Sequence, residues 1–151
     1  MKTNRLTKFK YGELYSGPGG LSLGAENASL RVNDKIYEMT HAWANDFDAD
    51  SCETFRNNIC NGEKKSVICG DVRQLDITKL SKIDAFGYGF PCNDFSIVGE
   101  RKGIHGDYGP LYSYGVKVID YFKPRFFVAE NVGGLSSANG GRALDIILND
   151  L

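Results

Sequence analysis

The sequence predicts an α/β fold built on a doubly wound, mainly parallel sheet. Three observations predict it. Short apolar runs alternate with amphipathic stretches along the chain. A glycine-rich turn, Gly17-Pro18-Gly19-Gly20, sits between the first apolar run and a helical pattern. The run Phe126-Phe127-Val128-Ala129 is apolar without alternation, the pattern of a parallel strand buried on both faces.

The elements follow in order. A first strand is expected near Tyr11 to Ser16, broken by the glycine turn, then a helix from Leu21 to Ala28. Glu38 to Ala44 reads as the second strand, and Asp48 is placed to cap a helix over Ala49 to Asn58. Ser66 to Cys69 is a third strand ending at Gly70-Asp71, and Ile83 to Gly89 a fourth ending at Phe90-Pro91-Cys92. Gly109-Pro110 opens a helix with Leu111, Val118, Ile119 and Phe122 on its apolar side, stopped by Pro124. The fifth strand is 126–129, and a last helical pattern runs from Gly141 to Leu151. A fifth strand this apolar is expected to have neighbours on both sides, because an exposed edge invites association. The sheet is therefore expected to be incomplete at the C-terminus, as in a fragment, a truncated chain or one subunit of a split enzyme.

At 151 residues the chain suits one domain, 1–151, with a sizeable core. Hydrophobic residues at 42% and charged residues at 25% exclude a disordered chain. The net charge of -1 argues against a domain that wraps a polyanion over its whole surface, so any nucleic-acid contact is expected from a local patch or from sequence not present in this chain. Cys52, Cys60, Cys69 and Cys92 have no CxxC spacing, and His41 and His105 lie far apart, so no metal is expected. Free thiols, no apolar leader at Met1 to Lys10 and no membrane-length apolar run point to a cytoplasmic protein.

Ligands of an open α/β sheet bind outside the carboxyl ends of the strands. Four such ends carry suggestive residues. The turn Tyr15-Ser16-Gly17-Pro18-Gly19-Gly20 frees backbone N–H groups for a ligand, or is simply a tight strand-to-helix turn. In Asn45-Asp46-Phe47-Asp48, an acidic side chain can accept from ribose hydroxyls and Phe47 can stack on a purine, although either aspartate also suits a helix cap. Gly70-Asp71-Val72 offers a carboxylate to an amino group, or an ordinary turn. The fourth end, Gly89 to Gly99, presents Cys92 behind Pro91. A free cysteine is more often core packing than nucleophile, but Glu130, at the end of the next strand, is placed to face it across one cleft.

With these residues the chain resembles the cytosine-C5 DNA methyltransferases. The family's Phe-Ala-Gly-x-Gly-Gly appears as Tyr15 to Gly20, and its Asn-Glu-aromatic-Asp as Asn45 to Asp48. Its Gly-Asp-Ile appears as Gly70-Asp71-Val72, its Gly-Phe-Pro-Cys-Gln-x-Phe-Ser-x-x-Gly as Gly89 to Gly99, and its Glu-Asn-Val as Glu130-Asn131-Val132. The motifs run in family order over nearly the whole chain. The resemblance implies a Rossmann-like fold of the S-adenosylmethionine-dependent methyltransferase type, with S-adenosylmethionine as cofactor and double-stranded DNA as partner.

The resemblance also implies roles. Cys92 adds to C6 of a cytosine flipped out of the duplex, and Glu130 protonates N3, which needs a carboxyl that holds a proton near neutral pH, as burial supplies. Tyr15, Gly17, Gly19 and Gly20 line the methionine part of the cofactor. Asp46 holds the ribose, Phe47 stacks on adenine, and Asp71 accepts from its amino group with Val72 beside it; Leu111 contacts the cofactor. Pro91 fixes the nucleophile's loop, Asn131 supports the site, and Asn93 stands near the flipped nucleotide. The segment from Phe95 to Asp107 resembles a loop that closes on DNA, where Ser96, Arg101 and Lys102 meet phosphates.

Some departures are conservative: Asn93 stands for Gln, Asp46 for Glu and Tyr15 for Phe. A larger one is the absence of a Gln-Arg-Arg-x-Arg motif and of a target-recognition domain, expected either in a remainder missing from this chain or on a second polypeptide. Other readings are an inactive cofactor-binding remnant or regulatory subunit, and an RNA (tRNA) cytosine-C5 methyltransferase. A nicotinamide-dependent oxidoreductase explains the glycine turn but neither Cys92 nor Glu130.

Overall fold

The structure, a computed structural model, describes residues 5–62, 65–91 and 111–151. Its strands are β1 (Arg5–Leu14), β2 (Ser29–Val32), β3 (Lys35–Asp46), β4 (Val67–Cys69), β5 (Ala85–Gly89) and β6 (Phe126–Glu130). Its helices are α1 (Gly20–Asn27), α2 (Ala49–Asn58), α3 (Tyr112–Phe122) and α4 (Arg142–Asp150), with short 3-10 turns at Val72–Gln74, Ile77–Lys79, Gly133–Ser136 and Ala138–Gly141.

The parallel strands lie in the order β4-β3-β1-β5-β6. The chain therefore winds outward from β1 in both directions, and the order reverses between β1 and β5. That reversal opens a crevice at the carboxyl ends of the two strands, where such sheets bind ligands. β2 adds an antiparallel hairpin on β3. The hairpin is an element the sequence reading lacked. Its signal is the two-residue connection Asn33-Asp34, with Asn33 at φ 55, between runs of strand-forming residues.

Most elements match their sequence expectations, and local chemistry explains their ends. α2 begins where Asp48 accepts from the backbone N–H of Ser51 at 2.7 Å, with Asp50 in the first turn and Arg56 in the last, each favourable to the helix dipole. α3 ends at Phe122 because Lys123 takes φ 49 and Pro124 cannot continue the ladder. β1 and β3 run further toward their N-termini than the apolar pattern suggested. The added residues pair with each other, Arg5 with Lys35 through Lys10 with Thr40, so hydrogen bonding extends the strands beyond the buried part.

The main core lies between the sheet and the α3–α4 layer. Trp43, Phe86, Tyr88, Leu14 and Val118 are fully buried there with Tyr112, Ala143 and Ile147. A β-bulge lies opposite Tyr11 and Gly12, where pairing jumps from His41 to Trp43. The Trp43 indole lies across Gly12, whose added Cβ would stand 2.6 Å from the ring, and its Nε1 donates to the carbonyl of Ser81. On the other face α2 buries Cys52, Phe55 and Ile59 against Ala44 and Val67, while Ala25 of α1 meets Tyr11 and Ala85. Burying a large apolar side chain contributes about 2 kcal/mol, so these clusters dominate the stability.

One expectation fails. β6 was expected to be buried on both faces, yet every residue of it is exposed. Phe126, Phe127 and Val128 are 43%, 37% and 52% exposed, and β6 pairs only with β5 among the described residues. The apolar composition reported a strand that wants cover, and composition alone does not say which neighbour provides it.

Candidate functional site at the carboxyl ends of the strands

β1 delivers the chain into the glycine turn. Gly17 and Gly19 take φ 52 and 100, and Tyr15 takes φ 56, which is unusual for a bulky residue. At Gly19 only glycine fits, since a Cβ would stand 3.0 Å from both Phe55 and Ile59 on a backbone that disfavours side chains. Two contacts hold the strained turn. The Asp46 carboxylate accepts from the N–H of Gly17 at 2.7 Å, and the Tyr15 hydroxyl donates to the carbonyl of Leu111 at 2.7 Å. Burial pushes the Tyr15 phenol well above its ordinary range, so it remains a donor.

Asp46 is thus first a backbone organiser. Its second oxygen accepts from the N–H of Asp48 at 2.9 Å, while Asp48 caps α2. Of the two aspartates that could cap the helix, Asp48 does so, and Asp46 organises the turn. Between them Phe47 stands 78% exposed, a ring with a free face. Asn45, buried, donates from Nδ2 to the carbonyls of Ile68 and Gly70, and its own carbonyl accepts from Ser16. It ties the ends of β1, β3 and β4 into one rim.

A cavity of about 230 Å³ opens on that rim, lined by Tyr15, Phe47, Asp71, Val72, Pro91 and Leu111, together with Asn45, Gly70 and Arg73. Six residues expected at the site thus share one hollow. Gly17, Gly19 and Gly20 are in the adjoining turn but do not line it. Asp71 is not a lone acceptor: Arg73 grips its carboxylate with Nε and Nη2, which holds the acid below its usual range. The volume is below the roughly 300 Å³ at the lower end of ligand pockets. It fits one end of a nucleoside: a stackable ring, a carboxylate acceptor and apolar walls.

Across the crevice, β5 and β6 pair in register so that Gly89 lies opposite Glu130. A Cβ on Gly89 would stand 3.0 Å from Glu130 Oε2, so the carboxylate leans over the end of β5, where the segment leading to Cys92 begins. Asn131 donates from Nδ2 to the carbonyl of Phe90 at 2.7 Å, and Pro91 follows at the cavity wall. Glu130 is exposed, which differs from the burial expected for a carboxyl that carries a proton. Cys92, Asn93, Ser96, Arg101 and Lys102 lie outside the described residues, as does the whole expected loop from Phe95 to Asp107.

Two residues missed in the sequence belong to this rim. Arg73 was signalled only by its place two residues after Asp71. Glu13, one residue before the end of β1, is 1% exposed and accepts from the Ser22 hydroxyl beneath the glycine turn. Burial raises its carboxyl to about 7. Its signal was a charge inside an otherwise apolar strand end. Among the described residues Cys52 and Cys69 carry free thiols, no group of three His, Cys, Asp or Glu is placed to hold a metal, and no helix is long and apolar enough to cross a membrane.

Comparison with known proteins agrees with this geometry. The family model for C-5 cytosine-specific DNA methylases matches residues 9–151. The chain is 59% identical over 150 residues to the Type II methyltransferase M.BbvI of Brevibacillus brevis, which covers 95% of this chain and 40% of that protein. It is 34% identical over 165 residues to the DNA (cytosine-5-)-methyltransferase M.ApeKI of Aeropyrum pernix, covering 96% of this chain and 33% of the relative. The crystal structure of S. pombe Dnmt2 methyltransferase superposes with a TM-score of 0.62 at 20% identity, over 94% of this chain and 42% of that one, and shares its fold. The chain thus spans well under half the length of these relatives. A family model that matches all but the first eight residues, on a mostly parallel sheet of the matching fold, places this chain in the C-5 cytosine-specific DNA methylase family.

Proposed function

We propose that residues 1–151 form the cofactor-binding and catalytic portion of an enzyme that methylates C5 of cytosine in DNA, within a restriction–modification system. The observation that carries the reading is the β5–β6 register, which sets Glu130 against Gly89, three residues before Cys92, at the end of the strand that leads to Pro91 on the wall of the hollow.

The chemistry follows from the ring. C5 of cytosine is a weak nucleophile because its electrons belong to an aromatic system. The Cys92 thiolate adds to C6 and breaks that system, while Glu130 gives a proton to N3 and draws charge off the ring. C5 becomes enamine-like. S-adenosylmethionine supplies the methyl group from its sulfonium. Loss of the C5 proton to a base then expels the Cys92 thiolate, N3 returns its proton to the Glu130 carboxylate, and aromaticity is restored. Glu130 starts exposed, and a base inserted against it removes water from the carboxyl. Asn131 and Pro91 hold the strand end from which Cys92 departs.

The hollow fits the adenosine end of the cofactor. Phe47 supplies a stacking face, Asp71 an acceptor for the adenine amino group, and Val72 and Leu111 apolar contact. The turn Tyr15 to Gly20 faces the methionine end, and Asp46 the ribose. Ser96, Arg101 and Lys102 meet DNA phosphates. The exposed row of Phe126, Phe127 and Val128 is a surface for further polypeptide, in the same chain or a second one, bearing the functions that read the target sequence.

Transfer of labelled methyl groups from S-adenosylmethionine to DNA tests the reading, with the chain alone and with the chain supplemented by the remaining part of the Brevibacillus brevis relative. Cys92→Ser is expected to abolish transfer while leaving cofactor affinity unchanged. No transfer under either condition, or full transfer by the serine variant, refutes it.

A further inference from the structure

Asp71 stands on a short turn at the mouth of the hollow, where a carboxylate has free rotation unless something fixes it. Arg73 fixes it. Its Nε reaches Oδ1 at 3.0 Å and Oδ2 at 2.8 Å, its Nη2 reaches Oδ2 at 2.6 Å, and its backbone N–H reaches Oδ1 at 2.9 Å. The guanidinium is a planar fork, so these contacts set the plane of the carboxylate as well as its position. A carboxylate has about four lone-pair sites, and three donors here occupy most of them. The remaining capacity suits one further donor and rejects an acceptor.

We propose that Arg73 is the positioning residue that makes Asp71 an oriented acceptor for a 6-aminopurine, and so sets the discrimination of the site against 6-oxopurines. The proposal builds on the adenosine reading of the hollow given above. Both residues line that hollow, so the fork acts at the ligand and not at a remote surface. An adenine amino group brings a donor to the open lone pair. A hypoxanthine oxygen in the same place sets lone pair against lone pair and leaves Asp71 short of a partner, which lowers affinity on the order of tenfold to a hundredfold. Without Arg73 the carboxylate can turn away, and the mismatch disappears.

Calorimetric titration of the chain with S-adenosylhomocysteine and with S-inosylhomocysteine, its 6-oxo counterpart, tests this. The unmodified chain is expected to favour the adenosyl compound by about tenfold or more. Arg73→Ala and Arg73→Lys should both reduce that ratio to within about threefold of one, because lysine keeps the charge but not the fork. A loss of affinity equal for the two compounds, with the ratio intact, means that Arg73 only stabilises the turn and overturns the proposal. Asp71→Asn separates the two levels of the reading. Its amide can donate to a 6-oxo group, so preference should move toward the inosyl compound; an unmoved preference removes Asp71 as the purine contact. Failure of the adenosyl compound to bind the unmodified chain overturns both the adenosine reading and the role of Arg73.

Discussion

Gly89 and Glu130 share one piece of space: the carboxylate of Glu130 lies 3.0 Å from where a side chain at 89 would begin. The smallest side chain added there pushes on the far end of a flexible, exposed one. Gly89→Ala should therefore change stability by less than about 1 kcal/mol. It should displace the carboxyl by a fraction of an ångström to an ångström, and methyl transfer should fall on the order of a hundredfold. Paired transfer assays and urea melts of the variant decide the matter. Transfer at the unmodified rate would show that Glu130 has no fixed place in the reaction.

Glu13 makes the fold sensitive to pH. An unfolded glutamate titrates near 4.5, whereas buried Glu13 titrates near 7. Between those values the folded chain holds a proton that the unfolded chain has released. Stability therefore falls as pH rises from about 4.5 to about 7 and stays low above that range, by about 3 kcal/mol at most. Glu13→Gln keeps the shape and removes the titration. Urea melts across this window should show a flatter profile for the variant and a more stable variant at pH 8. Parallel profiles would mean that Glu13 ionises as freely in the folded chain as in the unfolded one.

Tyr15 carries a hydroxyl where the resembling motif has phenylalanine. That hydroxyl donates to Leu111 and joins the first strand to the helix entrance across the hollow. Tyr15→Phe leaves the ring in place and the Leu111 carbonyl without its donor. A stability loss of about 1 kcal/mol in chemical denaturation is expected, and a variant as stable as the original would show that water replaces the phenol at no penalty.

Gly115 faces the ring of Tyr88 so closely that a Cβ there would overlap it. Alanine is the better helix former by about 1 kcal/mol, which argues for stabilisation. Overpacking a fully buried ring costs about 1–3 kcal/mol, and that term wins because Tyr88 is at 0% exposure with no room to retreat. A lowered melting temperature for Gly115→Ala is the expected result; a raised one would mean that α3 slides on the sheet.

The parts of the fold legible in the sequence were those with strong local chemistry. Asp48 and Pro124 announced the ends of α2 and α3, and the glycine turn announced the crevice. The β2–β3 hairpin was missed because Ser29 to Val32 is short and wholly exposed, leaving only the Asn33-Asp34 turn as a signal. The exposure of β6 was not legible, because an apolar run records a need for cover and not its source. Of the candidate site, Tyr15, Phe47, Asp71, Val72 and Pro91, which line the hollow, were legible through motif order, since each closely follows a parallel strand. The fork of Arg73 on Asp71 and the buried Glu13 were not, because both depend on rotamers and packing that no spacing encodes.

The pairing of Phe126 with Ala85 through Glu130 with Gly89 makes the backbone ladder a ruler for where Glu130 stands. Side chains alternate along a strand, so one residue inserted or deleted between Arg125 and Glu130 would present alanine or asparagine at the crevice and turn the acid to the opposite side of the sheet. Any change of length in this stretch thus relocates Glu130, whereas the 3-10 turns from Gly133 to Gly141, bound to no ladder, can absorb one without moving it.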